Sequence, residues 1–292
     1  MENPSVIITG ANGFIGSNLV KHFYEKGWRV LALVHNLPTL KLTGVEYYQY
    51  DLSTSIDEAI FDKADYLIHC AYIKYDSKAS KASIDSNQIN INGAKQLISL
   101  SKKHRLKHNI FLSSMSAQPE AESNYGKQKF ALEKFFVGEN DLVIRPGLVL
   151  GSGGLFYQMS DFIKKNKLIP LISGGKQPLQ TVFIDDLILA IDRAIQKNIS
   201  GNYTVAEPTA VSYQEFYQAL CEKLKIDARF VSVPYFLVDL GVTFFSLLKI
   251  RLPITKENLL GLKTLKAVDV TKDLNKFGLT VRSYKESLKN IT

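Results

Sequence analysis

The chain has 292 residues, 46% of them hydrophobic, enough to bury a large core in one large domain or two joined ones. Lys and Arg exceed Asp and Glu by 36 to 28, for a net charge of +8, but they are scattered as Lys-Lys and Lys-x-Lys pairs without a basic block; this argues against a nucleic-acid partner and leaves a solvated surface that mildly favours an anionic ligand. The two cysteines, Cys70 and Cys221, lie in apolar surroundings with no CxxC or Cys/His spacing, which argues against a disulfide framework and a zinc or other metal site and suits a reducing cytoplasm.

A strand opens almost at once at Ser5–Thr9, with no basic region and apolar signal core before it. Further strands are expected at Arg29–Val34, Glu46–Tyr50, Tyr66–Cys70, Asn109–Ser113 and Leu142–Arg145, most of them runs of consecutive apolar residues, as strands covered on both faces are. Helical patterns lie between them. Phe14–Tyr24 places Ile15, Leu19, Val20 and Phe23 on one face, and Ile84–His104 and Asn124–Val137 behave similarly. This rhythm predicts an α/β fold with a parallel, doubly wound sheet.

After Arg145-Pro146-Gly147 the glycine-rich stretches Gly151–Gly154 and Ser173–Gly175 mark loops, and the regular alternation ends. Thr181–Ile184 reads as a strand, Asp185–Gln196 as a helix and Asn202–Ala206 as a further strand, with the remainder mainly helical. The expected organisation is a sheet-bearing domain over residues 1–150 with 178–203, and a smaller, mainly helical substrate region over 151–177 with 204–292 that closes over the strand ends, where ligands of such sheets bind. The longest apolar stretch, Val231–Ile250, is interrupted by Pro234 and Asp239 and lacks the unbroken run of about 20 residues that spanning needs. It reads as a buried or interfacial helix, and membrane association is not expected.

The first strand runs into Thr9-Gly10-Ala11-Asn12-Gly13-Phe14-Ile15-Gly16, and an amphipathic helix follows directly. Gly10 permits a tight turn, Gly13 lets the backbone approach a pyrophosphate, and Gly16 lets helix and strand pack closely. The helix N-terminus offers N–H groups and a positive dipole end to the phosphates. A Rossmann-type dinucleotide site is therefore expected, with Asn12, Phe14 and Ile15 in the same turn. The second strand ends Val34-His35-Asn36, where an acid would accept hydrogen bonds from a ribose 2′-hydroxyl. None is present. A partly protonated His35 would instead suit a 2′-phosphate, which tips the choice between NAD and NADP slightly towards NADP. Asp51-Leu52, after the third strand, is placed to face the adenine.

Tyr125-Gly126-Lys127-Gln128-Lys129 falls in an expected helix, so Tyr125 and Lys129 share a face. A phenol with a free pKa of roughly 10 needs about 4 kcal/mol of preferential phenolate stabilisation to act as a base near pH 7, which a fixed ammonium and a positive nicotinamide supply. Ser114, at the end of the preceding strand, would hydrogen-bond the same substrate oxygen and hold it for hydride transfer.

These residues together resemble the short-chain dehydrogenase/reductase superfamily, in its extended branch of sugar epimerases, dehydratases and reductases, over nearly the whole chain. The glycine turn is similar to the branch's cofactor motif, and Asp51-Leu52, His69-Cys70-Ala71 and Asn90-Ile91-Asn92-Gly93 to its intermediate landmarks. Arg145-Pro146-Gly147 with Gly151, and Val182–Asp186, resemble later motifs that flank cofactor and substrate, and Val233-Pro234 the C-terminal region of members that modify nucleotide-linked sugars for surface polysaccharides. The resemblance implies a Ser114, Tyr125, Lys129 mechanism. It also implies bound NAD or NADP, contacts from Cys70, Ala71, Asn90 and Pro146, and a possible homodimer.

Three departures bear on the substrate. Ser114 and Tyr125 are eleven positions apart, closer than in the sugar-modifying members. Leu179-Gln180 stand where many members carry an arginine and an acid that grip the nucleotide diphosphate, leaving Lys176 or Arg251 to compensate. Met115-Ser116 replace the acidic pair of the dehydratases, so dehydration is disfavoured. The readings that remain are an epimerase that retains NAD, an NADPH-dependent keto-sugar or other carbonyl reductase, and a non-catalytic dinucleotide-binding sensor or assembly factor.

Overall fold

The computed structural model describes residues 3–73, 86–235 and 256–291. It divides into two compact units, one formed by residues 1–114, 128–145 and 188–203, the other by 115–127, 146–187 and 204–292.

The first unit is built on strands whose sequences are apolar on both faces. β1 (Ser5–Thr9) is buried throughout, and β2 (Arg29–Val34) is buried after its first residue. β3 (Val45–Gln49) carries Glu46, Tyr47, Tyr48 and Gln49 after a buried Val45 and is mostly half-buried, as befits an edge. β4 (Tyr66–His69), β5 (His108–Leu112) and β6 (Asp141–Pro146) continue on the other side of β1. The pairs from β3 through β2, β1, β4 and β5 to β6 are all parallel. Gly201–Val205 adds the outer strand beside β6, giving seven strands. The strand order reverses between β1 and β4, so the carboxyl ends at Thr9 and His69 flank a topological switch point.

α1 (Phe14–Glu25) buries Leu19, Val20 and Phe23 as its spacing implies, and α2 (Ser86–Lys103) buries Ile89, Ala94, Leu97 and Ile98. α3 (Asn124–Glu133) stops four residues before the expected Val137, because Phe135 and Phe136 N–H groups bond to Leu132 and Glu133 carbonyls and tighten the last turn. A short 3₁₀ turn at Glu58–Lys63, capped by Asp57, lies between β3 and β4.

The second unit contains β7 (Leu148–Leu150), α4 (Gly154–Lys165), β8 (Leu168–Ile172), β9 (Pro178–Leu179) and β10 (Thr181–Phe183), followed by the start of α5 (Ile184–Gln196). Gly201–Val205 is β11; then come β12 (Val211–Ser212), α6 (Tyr213–Leu224), β13 (Arg229–Val233), α7 (Lys256–Lys263), α8 (Thr271–Phe277) and α9 (Tyr284–Asn290). Ser212 with Glu215 and Ser283 with Glu286 form capping boxes on α6 and α9. Small two-stranded pieces supplement the expected helices: β7 with β10, β9 with β12, and β8 with β13.

The last of these corrects the reading of Val231 as the start of a helix. Residues 231–233 belong to β13, whose β-branched Val231 and Val233 alternate along a strand paired in parallel with Leu168–Ile172. The rest of the apolar stretch, 236–250, lies outside the described residues. Among the described residues, no helix is long and apolar enough to cross a membrane.

Candidate cofactor and active site

The glycine turn has the local geometry its sequence implies. Gly10 has φ of +64°, and a Cβ there would lie 2.9 Å from the Ala71 backbone; a Cβ on Gly16 would lie 2.2 Å from Gly10 O. Both glycines are required by the folded chain itself. Gly13 differs. Its φ of −73° suits any residue, and a Cβ would meet Gly10 O at 3.1 Å and nothing else among the described residues. A side chain there would reach the open space in front of the helix N-terminus past that one close backbone contact.

Gly13 is also the N-cap of α1, with no side-chain cap bond and no acid in the first turn. Ser17 N–H closes the first turn on Gly13 O at 2.8 Å, so the N–H groups of Phe14, Ile15 and Gly16 precede the intrahelical ladder. Phe14 and Ile15 are half-buried. Three amides at a positive dipole end, behind a residue without a side chain, fit a pyrophosphate. Asn12 Nδ2 donates to Asn36 O at 2.6 Å and ties this turn to the end of β2.

The strand ends around the switch point are joined by Thr9. Its Oγ1 accepts from the N–H groups of Cys70 (3.2 Å) and Ala71 (3.1 Å) and lies 2.7 Å from His69 Nδ1. With both lone pairs taken, the hydroxyl proton points to Nδ1, which puts the imidazole proton on Nε2. Burial pushes the His69 pKa down to about 3, so the ring is neutral. Beyond β2, His35 Nδ1 lies 2.8 Å from Asp51 Oδ2. Burial pulls the Asp51 carboxyl up, but bonds from the Ser53 hydroxyl and N–H and the His35 ring outweigh it and leave its pKa lowered. His35 is therefore already engaged by a carboxylate.

Other expected contact residues have partners within the chain. Asn90 is 2% exposed; its Oδ1 accepts from Ile73 N–H and its Nδ2 donates to Ile73 O, both at 2.9 Å. Leu52 is buried against Gly93, whose Cβ would sit 2.5 Å from its Cδ2. Pro146, buried at the end of β6, accepts from Met115 N–H at 3.2 Å.

Ser114 lies two residues beyond the end of β5. Tyr125, in the first turn of α3, is 38% exposed, whereas Lys129, one turn later, is only 4% exposed. Lys129 Nζ donates to Leu112 O at 2.6 Å. Burial lowers the ammonium's pKa to about 8, against the opposing influence of Cys70 and Glu133. Gly126 admits the loop before the helix, since a Cβ there would lie 2.4 Å from Ser116 O.

Sequence reasoning missed the acid that anchors this helix. Glu133 is 4% exposed and accepts from Ser113 Oγ (2.5 Å) and Arg145 Nε (2.8 Å), with a second bond from Arg145 Nη2. It thereby fastens α3 to β5 and β6. The available signal was its position four residues after Lys129, on the same helical face.

In the second unit Gln180, standing where a diphosphate-gripping group was looked for, is consumed internally. Its Nε2 donates to Glu207 O (2.8 Å) and Val268 O (2.9 Å), and its Oε1 accepts from Val268 N–H at 2.8 Å. Asp186 accepts from Arg282 N–H at 2.9 Å. Lys176 is exposed, and Arg251 lies outside the described residues.

The family model described as the NAD dependent epimerase/dehydratase family matches residues 6–206. Subunit 9 of the NADH dehydrogenase [ubiquinone] 1 alpha subcomplex of Arabidopsis thaliana mitochondria is 24% identical over 244 residues, covering 78% of this chain and 60% of the subunit, so the chain spans less than two thirds of that relative's length. A UDP-glucose 4-epimerase of Vibrio cholerae is 24% identical over 245 residues, covering 74% of each. The solved structure of MoeE5 in complex with UDP-glucose and NAD superposes with a TM-score of 0.72 at 18% identity, covering 98% of this chain and 96% of that one, which shows a shared fold.

Proposed function

The chain belongs to the NAD-dependent epimerase/dehydratase family, in the extended short-chain dehydrogenase/reductase superfamily, and from that footing we propose that it is an epimerase acting at a secondary alcohol carbon of a nucleotide-linked sugar with a retained NAD. The observation that carries the reading is Lys129. Taking an ammonium out of water costs several kcal/mol, yet this one is buried beside the end of β5 and one helical turn from Tyr125.

Bound at the glycine turn, NAD would supply reversible hydride acceptance. The Tyr125 phenolate removes the hydroxyl proton as the carbon is oxidised and gives it back on reduction. Ser114 donates a hydrogen bond to the same oxygen and orients it. Lys129 stabilises the phenolate and holds the nicotinamide ribose. Its ammonium is charged below a pKa of about 8 and loses that charge above it, so turnover falls as pH rises through about 8. The choice of NAD over NADP is supported by the family and by Asp51, whose carboxylate at His35 would repel a 2′-phosphate. The second unit is proposed to take the sugar nucleotide.

The test is Tyr125→Phe, assayed by interconversion of UDP-hexoses. Turnover falls by about 10²–10⁴, the usual contribution of an acid–base group, with NAD affinity unchanged. An unimpaired variant removes Tyr125 from the mechanism. The likeness to a subunit of an NADH dehydrogenase [ubiquinone] subcomplex favours a second reading, a dinucleotide-binding structural subunit. In that case the chain co-purifies with a large assembly and turns over no UDP-hexose.

A further inference from the structure

The Lys129 ammonium is enclosed by two aromatic rings as well as by the Leu112 carbonyl. Nζ lies 4.7 Å from the centroid of Phe111 and 4.8 Å from that of Tyr72. Phe111, from β5, is fully buried and stacked on Phe136 at 4.9 Å and on His69 at 5.6 Å, so it is part of the fixed floor. Tyr72 comes from the segment after β4 and is half-buried. Its hydroxyl donates to Gln128 Oε1 at 2.5 Å, and Asn90 Nδ2 donates to the same oxygen at 3.2 Å. Asn90 also brackets the backbone of Ile73, the next residue, so the tyrosine is held at both its main chain and its hydroxyl. Gln128 is the neighbour of Lys129 on α3. The ring and the lysine therefore share one frame.

We propose that Tyr72 is a positioning residue for Lys129, its ring face holding the ammonium in place and charged while its hydroxyl locks the ring to α3 through Gln128. A cation over an aromatic face is attracted by the ring quadrupole, and the attraction grows where water is excluded, as it is around a lysine that is 4% exposed. Of the titratable groups nearby, Glu133 supplies negative charge, shared with Arg145, and two others supply none. Burial pushes the Cys70 thiol up to about 12 and the His69 imidazole down to about 3, so both are neutral around pH 8. Glu133, one turn further along α3, is bonded by Arg145 from β6 and by Ser113, and Tyr125 lies one turn earlier. The rings and the Leu112 carbonyl add to the Glu133 carboxylate in offsetting the burial of the ammonium. This inference rests on the reading of Lys129 as part of the reacting group, but its test does not.

The experiment titrates Lys129 in the whole chain by NMR of ¹³Cε-labelled lysine, with the resonance assigned through Lys129→Arg. Tyr72 is replaced by phenylalanine and, by nonsense suppression, by pentafluorophenylalanine, which keeps the ring's shape and inverts its quadrupole. The midpoint is expected near pH 8 in the native chain, slightly lower in Tyr72→Phe, which keeps the ring face and loses the lock, and lower again by about one pH unit with the fluorinated ring. Equal midpoints for the two rings overturn the proposal, because a ring that only fills space does not respond to fluorination. A lowered midpoint together with undiminished turnover in Tyr125→Phe upholds the positioning role and overturns the proposed reaction alone.

Discussion

Glu133 and Arg145 form an ion pair in which the carboxylate is buried and the guanidinium side chain is 27% exposed. Removing the acid leaves a partly buried cation and the Ser113 hydroxyl without it. Glu133→Ala is therefore expected to cost about 3 kcal/mol, the lower end for a broken buried pair, as read from urea denaturation. A loss under about 1 kcal/mol would mean the pair contributes little to fastening α3. His69 gives a pH signature of opposite origin. Its folded pKa of about 3 lies below the unfolded value, so the unfolded chain binds the proton first as pH falls. Stability is full above about pH 6.5 and declines towards pH 3, by at most about 1.4 kcal/mol per pH unit, and His69→Gln should flatten that decline. That Tyr125 and Lys129 share one helix was legible from their spacing, but the depth of Lys129 was not. A lysine on a helix of mixed polarity carries no mark of burial. What buries it, Phe111, Tyr72 and Leu112, comes from two other segments.

At the scale of elements, the turn between β1 and α1 holds two glycines that the folded chain requires and a third, Gly13, that is proposed to serve binding. Gly10→Ala, at φ of +64° and 2.9 Å from the Ala71 backbone, should destabilise the fold by more than about 1 kcal/mol. Gly13→Val brings its Cβ to a tight 3.1 Å from Gly10 O, so it should cost some stability but less than Gly10→Ala, and in the folded variant it should abolish NAD binding in calorimetric titration. Native affinity in that variant would refute the phosphate turn. The strands of the sheet were readable because their apolar runs are continuous and bounded by turn residues. β13 was misread for a related reason. Val231–Val233 opens a long apolar stretch whose composition suits helix and strand alike, and only the pairing with Leu168–Ile172 decides it. His35 shows the other limit. Read as a free strand-end residue it pointed to NADP, and its partner Asp51 lies sixteen residues away at the end of another strand.

For the whole molecule, the α/β class and parallel sheet followed from the alternation of segments, whereas the strand order, with its reversal between β1 and β4, required the pairings themselves. The two- and three-residue strands of the second unit, β7, β9, β10 and β12, are too short to show a period of two. The central claim is that this chain holds NAD and works through it, and the most direct measurement is mass spectrometry of dinucleotide released from the freshly purified protein, followed by titration of NAD, NADH, NADP and NADPH into the emptied chain. Saturation at 100 times the dissociation constant should add about 2.7 kcal/mol of stability, giving a second reading of the same event as a raised Tm. NAD recovered from the purified chain and preferred over NADP on titration is the predicted result; no binding by any of the four, or a preference for NADPH with no dinucleotide retained, would contradict it.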